Sequence, residues 1–184
     1  MLNEELKDQI LNTKLTFLNG YLMALGLLNS YAVIGLNCKL FAFNFSAGDI
    51  EKSVQDNSYE LFGVYPNSYQ IEVRQIDNWE NRLTLELNAS IKKRISTETS
   101  EYAKLFDYSE NDLVKNLSRQ TKIVNDYFVK MLKDEFGLDT TNIYELLVKG
   151  KSNSSYCPYR LFGLDLIFEI GDTKIILLQI CGND

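Results

Sequence analysis

Residues 15–36, LTFLNGYLMALGLLNSYAVIGL, contain no charged side chain, and the uncharged run continues to Cys38. A stretch of this length must leave water, either in a bilayer or in the interior of a folded domain. A secretion signal needs a basic start. The chain instead opens MLNEELKDQILNTK, with Glu4, Glu5 and Asp8 against Lys7 and Lys14. A membrane span is interrupted by Asn19, Gly20, Gly26, Asn29, Ser30, Gly35 and Asn37. Periodicity decides the matter. Leu11, Leu15, Leu18, Leu22, Leu25 and Leu28 recur every three or four residues on one side of a helix. Leu6 extends that stripe into the charged N-terminal segment, while Asn12, Asn19 and Thr16 lie opposite. The expectation is a buried core helix ending near Asn29-Ser30, and no membrane contact.

The chain has 184 residues, 45% of them hydrophobic and 24% charged, with only two prolines. That suits one globular domain over 1–184 with a sizeable core. The net charge of −6 disfavours general nucleic-acid binding, which draws on clustered positive charge. The cysteines Cys38, Cys157 and Cys181 are odd in number and far apart, which fits a reducing, cytoplasmic compartment. N-x-S triplets at Asn44, Asn88, Asn116 and Asn153 then have no glycosylating route. Histidine is absent. This excludes Ser-His-Asp and Cys-His nucleophilic catalysis, histidine general bases and histidine-ligated zinc. A zinc site would need all three cysteines plus a carboxylate. The expectation is no cofactor and no metal.

LNCKLFAFNF, residues 36–45, carries apolar side chains on both faces and reads as an interior strand. SAGDIEKSVQD reads as a loop with one helical turn, capped by Ser46 or Asp49. YELFGVY reads as a short strand, with a turn at Pro66-Asn67. In YQIEVRQIDNWENRLTLELNASI, pairing Val73 with Leu85 and Ile71 with Leu87 makes a hairpin with Asn78-Trp79-Glu80 at its tip. Ser109-Glu110-Asn111-Asp112 is a capping box before a long helix to about Phe136, stopped by Gly137. Its apolar stripe is Leu113, Leu117, Val124, Phe128 and Met131. A shorter helix over about 141–148 and a loop, KGKSNSSYCPYR, follow. FGLDLIFEI and KIILLQICG flank Gly171-Asp172-Thr173 as a hairpin, with Glu169 facing Lys174, Phe168 facing Ile175 and Leu166 facing Leu177. Strands do not alternate regularly with helices. The fold class is α+β, a mostly antiparallel sheet of five or six strands with the long N-terminal and central helices packed on it.

No phosphate-cradling glycine motif occurs. Asp165 and Glu169 share a strand face but stand about 13 Å apart, beyond the spacing of paired catalytic carboxylates. Cys157, three residues from Arg160, has a nearby cation to lower its pKa but no histidine base. No catalytic residue is assigned. Trp79 is the only tryptophan, and beside Asp77 and Glu80 at a hairpin tip it reads as an interface anchor. Glu98, Glu101 and Asp107 extend an acidic surface. Lys115, Arg119, Lys122, Lys130 and Lys133 form a basic face on the long helix, an alternative docking face for an acidic partner or a phosphate backbone.

These features point to a non-catalytic cytoplasmic protein-binding or inhibitory protein. By class analogy with acidic, cofactor-free bacterial immunity proteins, it would occlude a partner's basic functional surface. The alternatives are a histidine-independent enzyme using carboxylate, Tyr or Lys groups, and a ligand- or nucleic-acid-binding module using the basic face of helix 109–136.

Overall fold

The computed structural model describes residues 4–29, 35–45, 49–62, 69–88, 110–139, 141–150, 162–171 and 173–183. In chain order the elements are α1 (Glu4–Asn29), β1 (Gly35–Asn44), α2 (Ile50–Asp56), α3 (Ser58–Phe62), β2 (Tyr69–Gln75), α4 over 79–88, α5 (Glu110–Phe136), β3 (Ile143–Gly150), β4 (Phe162–Ile170) and β5 (Lys174–Asn183). The strands make one five-stranded antiparallel sheet, ordered β1-β5-β4-β3-β2. The fold is α+β, as the element pattern predicts.

β4 and β5 dictate the layering. Leu164 to Phe168 and Ile175 to Ile180 are all buried, so neither face of the central pair can meet water. On one face Leu164, Leu166, Phe168, Ile176, Leu178 and Ile180 pack with α1, α4 and α5. On the other, Ile167, Ile175 and Leu177 pack with Val54 of α2 and with Leu61 and Phe62 of α3. The result is three layers, with the sheet in the middle.

Residues 15–29 of the uncharged run lie in α1 as expected, with Leu15, Leu18, Leu22 and Leu25 buried and Leu11 packed at the margin. Among the described residues no helix is long and apolar enough to cross a membrane. Two details differ from the sequence expectation. Leu6 is exposed rather than part of the buried stripe. Asn19 is half-buried because its carboxamide reaches β1, where Leu40 N–H donates to Oδ1 (2.7 Å) and the Leu40 carbonyl accepts from Nδ2 (3.0 Å). Among the described residues β1 is an edge strand, while its two faces are covered as expected, Cys38 and Leu40 facing one cluster and Phe41, Phe43 and Phe45 the other. The Asn19 side chain supplies part of what a neighbouring strand would. At the opposite edge, the Glu51 carboxylate of α2 accepts from Val73 N–H of β2 (3.3 Å).

Three local expectations are overturned. Residues 79–88 are helical, so no hairpin forms after β2 and Trp79 is no tip. The motif LTLEL fits a strand because Leu83, Leu85 and Leu87 alternate. In the helix, Trp79, Leu83 and Leu87 recur at intervals of four and are buried, leaving Leu85 exposed. Residues 143–150 are strand β3, not helix: Tyr144, Leu146 and Val148 face the α2/α3 layer while Ile143 faces the other. The consecutive apolar residues Leu146, Leu147 and Val148 break the alternation that marks a strand. Of YELFGVY, residues 59–65, expected as strand, 59–62 belong to α3 and 63–65 lie outside the described residues. The single helical turn expected after Asp49 is α2, capped by Asp49 Oδ1 accepting from Lys52 N–H (2.9 Å). Ser46, the Pro66-Asn67 turn and residues 151–161 lie outside the described residues.

α5 runs as anticipated from Glu110 to Phe136. Gly137 adopts φ +64° and Leu138 N–H donates to the Lys133 carbonyl (3.2 Å), the bond pattern of a Schellman stop, with Leu138 tucked into the core. The β4–β5 hairpin is present, but its register is one residue away from expectation: Ile170 faces Lys174, Glu169 faces Ile175 and Leu166 faces Leu178. The loop between Ile170 and Lys174 spans three residues, with Gly171 at φ +64°. Lys174 consequently pairs with Asp8 of α1 (3.0 Å), and Glu169 accepts from Asn142 (2.7 Å) and Tyr144 (3.2 Å).

Two substitutions test this architecture. Asn19→Ala strips the edge groups of Leu40 of their partner and should cost about 1–3 kcal/mol in urea unfolding. Trp79→Ala empties a core site that is 4% exposed. That should cost about 3–5 kcal/mol, and the wild-type tryptophan emission should be blue-shifted and closed to iodide. Free quenching of that emission would contradict the burial.

Candidate functional site

The hairpin-tip cluster does not assemble as a surface site. Trp79 lies under α4 with its ring edge-on to Phe168, centroids 5.4 Å apart. Glu80 accepts from Lys133 of α5 (2.9 Å), so it fastens one helix to another. Asp77 is exposed, at the entry to α4. Asp77-Asn78 followed by Glu80 is a recognisable helix start, with small polar residues before the first turn and an acid within it. Glu98, Glu101 and Asp107 fall outside the described residues.

The basic face of α5 is present, but its charges have different employments. Lys122 pairs with Asp126 on the same helix (2.6 Å). Lys133 holds both Asp139 (2.7 Å) and Glu80 (2.9 Å), and those two carboxylates, Asp139 foremost, raise its pKa above the usual lysine value. Lys115, Arg119 and Lys130 point to solvent. Between the last two stand Ile123 and Tyr127, 60% and 56% exposed. Arg119, Ile123, Tyr127 and Lys130 follow one another at spacings of four, four and three, and so share one helix face. Ile123 and Tyr127 are the residues sequence reasoning missed. Their signal was available, because both are large apolar residues off the buried stripe of Val124, Phe128 and Met131.

Tyr127 is held from the side. Tyr21 of α1 inserts between the helices, stacked on Phe128 (centroids 5.8 Å apart) and tilted against Tyr127 (6.2 Å). The Tyr21 hydroxyl donates to the Val124 carbonyl (3.2 Å). Further along, Lys14 of α1 reaches the Glu135 carbonyl and carboxylate. The two helices thus run antiparallel, and the exposed Tyr127 ring rests on a fixed base. The ring is amphipathic and stands between two cations, Arg119 and Lys130.

On the sheet's other face one polar row crosses three strands. Lys39 faces Gln179, and Gln179 faces Asp165. Asp165 and Gln179 are buried, and Gln179 Nε2 has no hydrogen-bond partner among the described residues. Lys39 is exposed and lies over the Phe41 ring, 4.5 Å from its centroid. Asp165 and Glu169 do share this face, but Glu169 is occupied by Asn142 and Tyr144. Asn88, one of the N-x-S asparagines, accepts from buried Asn125 of α5 (3.0 Å). Among the described residues no three Cys, Asp or Glu side chains gather as a metal site. Cys157 and Arg160 lie outside them.

No protein-family model matches the sequence, and no curated protein does. A solved chain of citrus MAF1 aligns over 92% of this chain and 98% of its own, at 12% identity and a TM-score of 0.38. A likeness that slight carries no argument about this protein.

The Tyr21 phenol has its pKa raised, first by burial and then by Tyr127 beside it. Tyr144 is raised by burial and by Glu169. The folded state therefore keeps these protons to higher pH than the unfolded chain does. Their stabilisation is complete below the ordinary tyrosine value and is lost as pH rises through the folded-state values. Urea unfolding at pH 9 and pH 11 should show a smaller alkaline loss in Tyr21→Phe than in wild type. Equal losses would mean that Tyr21 titrates normally.

Proposed function

We propose that this protein is a non-catalytic binding module that acts by docking on another protein, with the outer face of α5 as its contact surface. The observation that carries the reading is the exposed Ile123–Tyr127 pair set between Arg119 and Lys130. An exposed pair, Ile123 and a Tyr127 ring held from the side by Tyr21, bordered by cations, suits a partner segment with an apolar ridge and acidic flanks. The face is the basic alternative read from the sequence. The acidic cluster expected around Trp79 lends no support, since Trp79 is core and Glu80 is committed to Lys133. The immunity-type role expected from the sequence, an acidic surface occluding a partner's basic one in a bacterial cytoplasm, rests on class analogy alone and draws no support from this cationic face.

Capture from host lysate should compare wild type with Tyr127→Ala, Arg119→Glu/Lys130→Glu and, as a remote surface control, Leu85→Ala. One protein should be retained by wild type and by the control and lost with the α5 variants. Tyr127→Ala should weaken the purified pair at least about tenfold, and the charge reversal should chiefly slow association. Undiminished binding by both α5 variants, with unchanged circular dichroism, would remove this face from the interface.

A further inference from the structure

α1 carries a second stripe, on the side away from the sheet. Leu6, Ile10, Thr13, Phe17, Gly20 and Ala24 are all exposed, and the gaps between them run four, three, four, three, four. This is the seven-residue repeat that keeps one face of a helix against a partner helix. Leu6, Ile10 and Phe17 belong to the exposed large apolar residues, at 41%, 43% and 58%. A helix that satisfied only its own sheet would place polar residues here.

The order of sizes within the stripe identifies the occupant. We propose that α1 packs antiparallel against α1 of a second copy of this chain, about a two-fold axis near the level of Leu15. Antiparallel pairing then sets Leu6 against Ala24, Ile10 against Gly20 and Thr13 against Phe17, each layer joining one large residue to one small. Large–small alternation across facing positions is what lets two helices interdigitate without voids, and an isologous contact requires such self-complementarity. Parallel pairing would set Gly20 against Gly20 and Phe17 against Phe17, leaving a gap in one layer and a clash in another. The contact would run about 27 Å along the helix.

Electrostatics and hydrogen bonding permit the contact. Gln9, Thr16 and Met23, which flank the stripe on the side away from α5, are uncharged. On the other flank Lys14 is engaged with Glu135, and Lys7 with Glu4. The Thr13 hydroxyl already donates to the Gln9 carbonyl (2.9 Å) and Thr16 to Asn12 (2.8 Å), so neither loses a partner when water leaves. Among the described residues nothing packs against the open side of Gly20. A Cβ there would meet nothing within 4 Å, yet a mid-helix glycine destabilises a helix relative to alanine. A partner's Ile10 gives the missing side chain a purpose. This contact uses a different helix face from the α5 docking surface and stands without it.

Sedimentation equilibrium of the full chain decides the question. Wild type should sediment at about twice its 21.2 kDa. Gly20→Ile overfills the layer it shares with Ile10 and should raise the dimer dissociation constant at least about tenfold, with circular dichroism unchanged because the monomer has room for the side chain. Ile10→Ala/Gly20→Ile exchanges the large and small members of that layer and should restore dimerisation. A wild type that remains at 21.2 kDa at the highest concentrations overturns the proposal, as does a Gly20→Ile variant that still dimerises. Loss in the single variant without recovery in the double would overturn the antiparallel layering.

Discussion

Burial of the β4–β5 pair on both faces is the condition on which the rest of this structure depends. Leu164 to Phe168 and Ile175 to Ile180 form a ribbon that no single covering layer can satisfy. Two layers of helix follow, the large one built from α1, α4 and α5 and the small one from α2 and α3. β1 and β3 flank the pair, and β2 extends the sheet beyond β3. The cost of this solution appears at the two remaining edges, where backbone groups have no strand to pair with. Asn19 and Glu51, side chains of helices from opposite layers, answer it at one edge each.

Interiors this apolar specify composition better than alignment. Most residues of β5 are equally suited to either face, so sliding it past β4 by one position sacrifices little hydrophobic burial. The polar members of the pair narrow the choice. Asp165 lies opposite Gln179 in the observed register, and a one-residue slip would send one of them towards the opposite layer. The three-residue loop with left-handed Gly171 and the Lys174–Asp8 bond to α1 agree with the same register. Polar groups within an apolar sheet thus bear on specificity more than on stability.

The long helices each have one face committed inward and another available. α1 gives Leu15, Leu18, Leu22 and Leu25 to the core, and its outer repeat of Leu6, Ile10 and Phe17 stays in solvent. α5 gives Phe128, Val129 and Leu132, and presents Ile123 and Tyr127 between cations. Tyr21 joins the two helices and orders the ground on which both outer faces stand.

Much of this was legible in the residues alone. A leucine every three or four positions makes α1 whatever surrounds it, Gly137 ends α5 because a left-handed residue suits glycine there, and two apolar runs about Gly171 make a hairpin. Periodicity and glycine are local signals, and local signals survive without the fold. Tertiary structure decided what periodicity leaves ambiguous. LTLEL alternates like a strand and also repeats every four like a helix, and only the space beneath Phe168 for Trp79 selects the helix. Ile143–Gly150 breaks strand alternation with three consecutive apolar residues, Leu146, Leu147 and Val148, and only pairing with β2 and β4 makes it a strand. The same holds for the candidate surfaces. The sequence determined that α1 has apolar residues on more than one side, but which of them meets the sheet and which meets solvent depends on neighbours far away in the chain, because exposure is a relation between elements and not a property of any one of them.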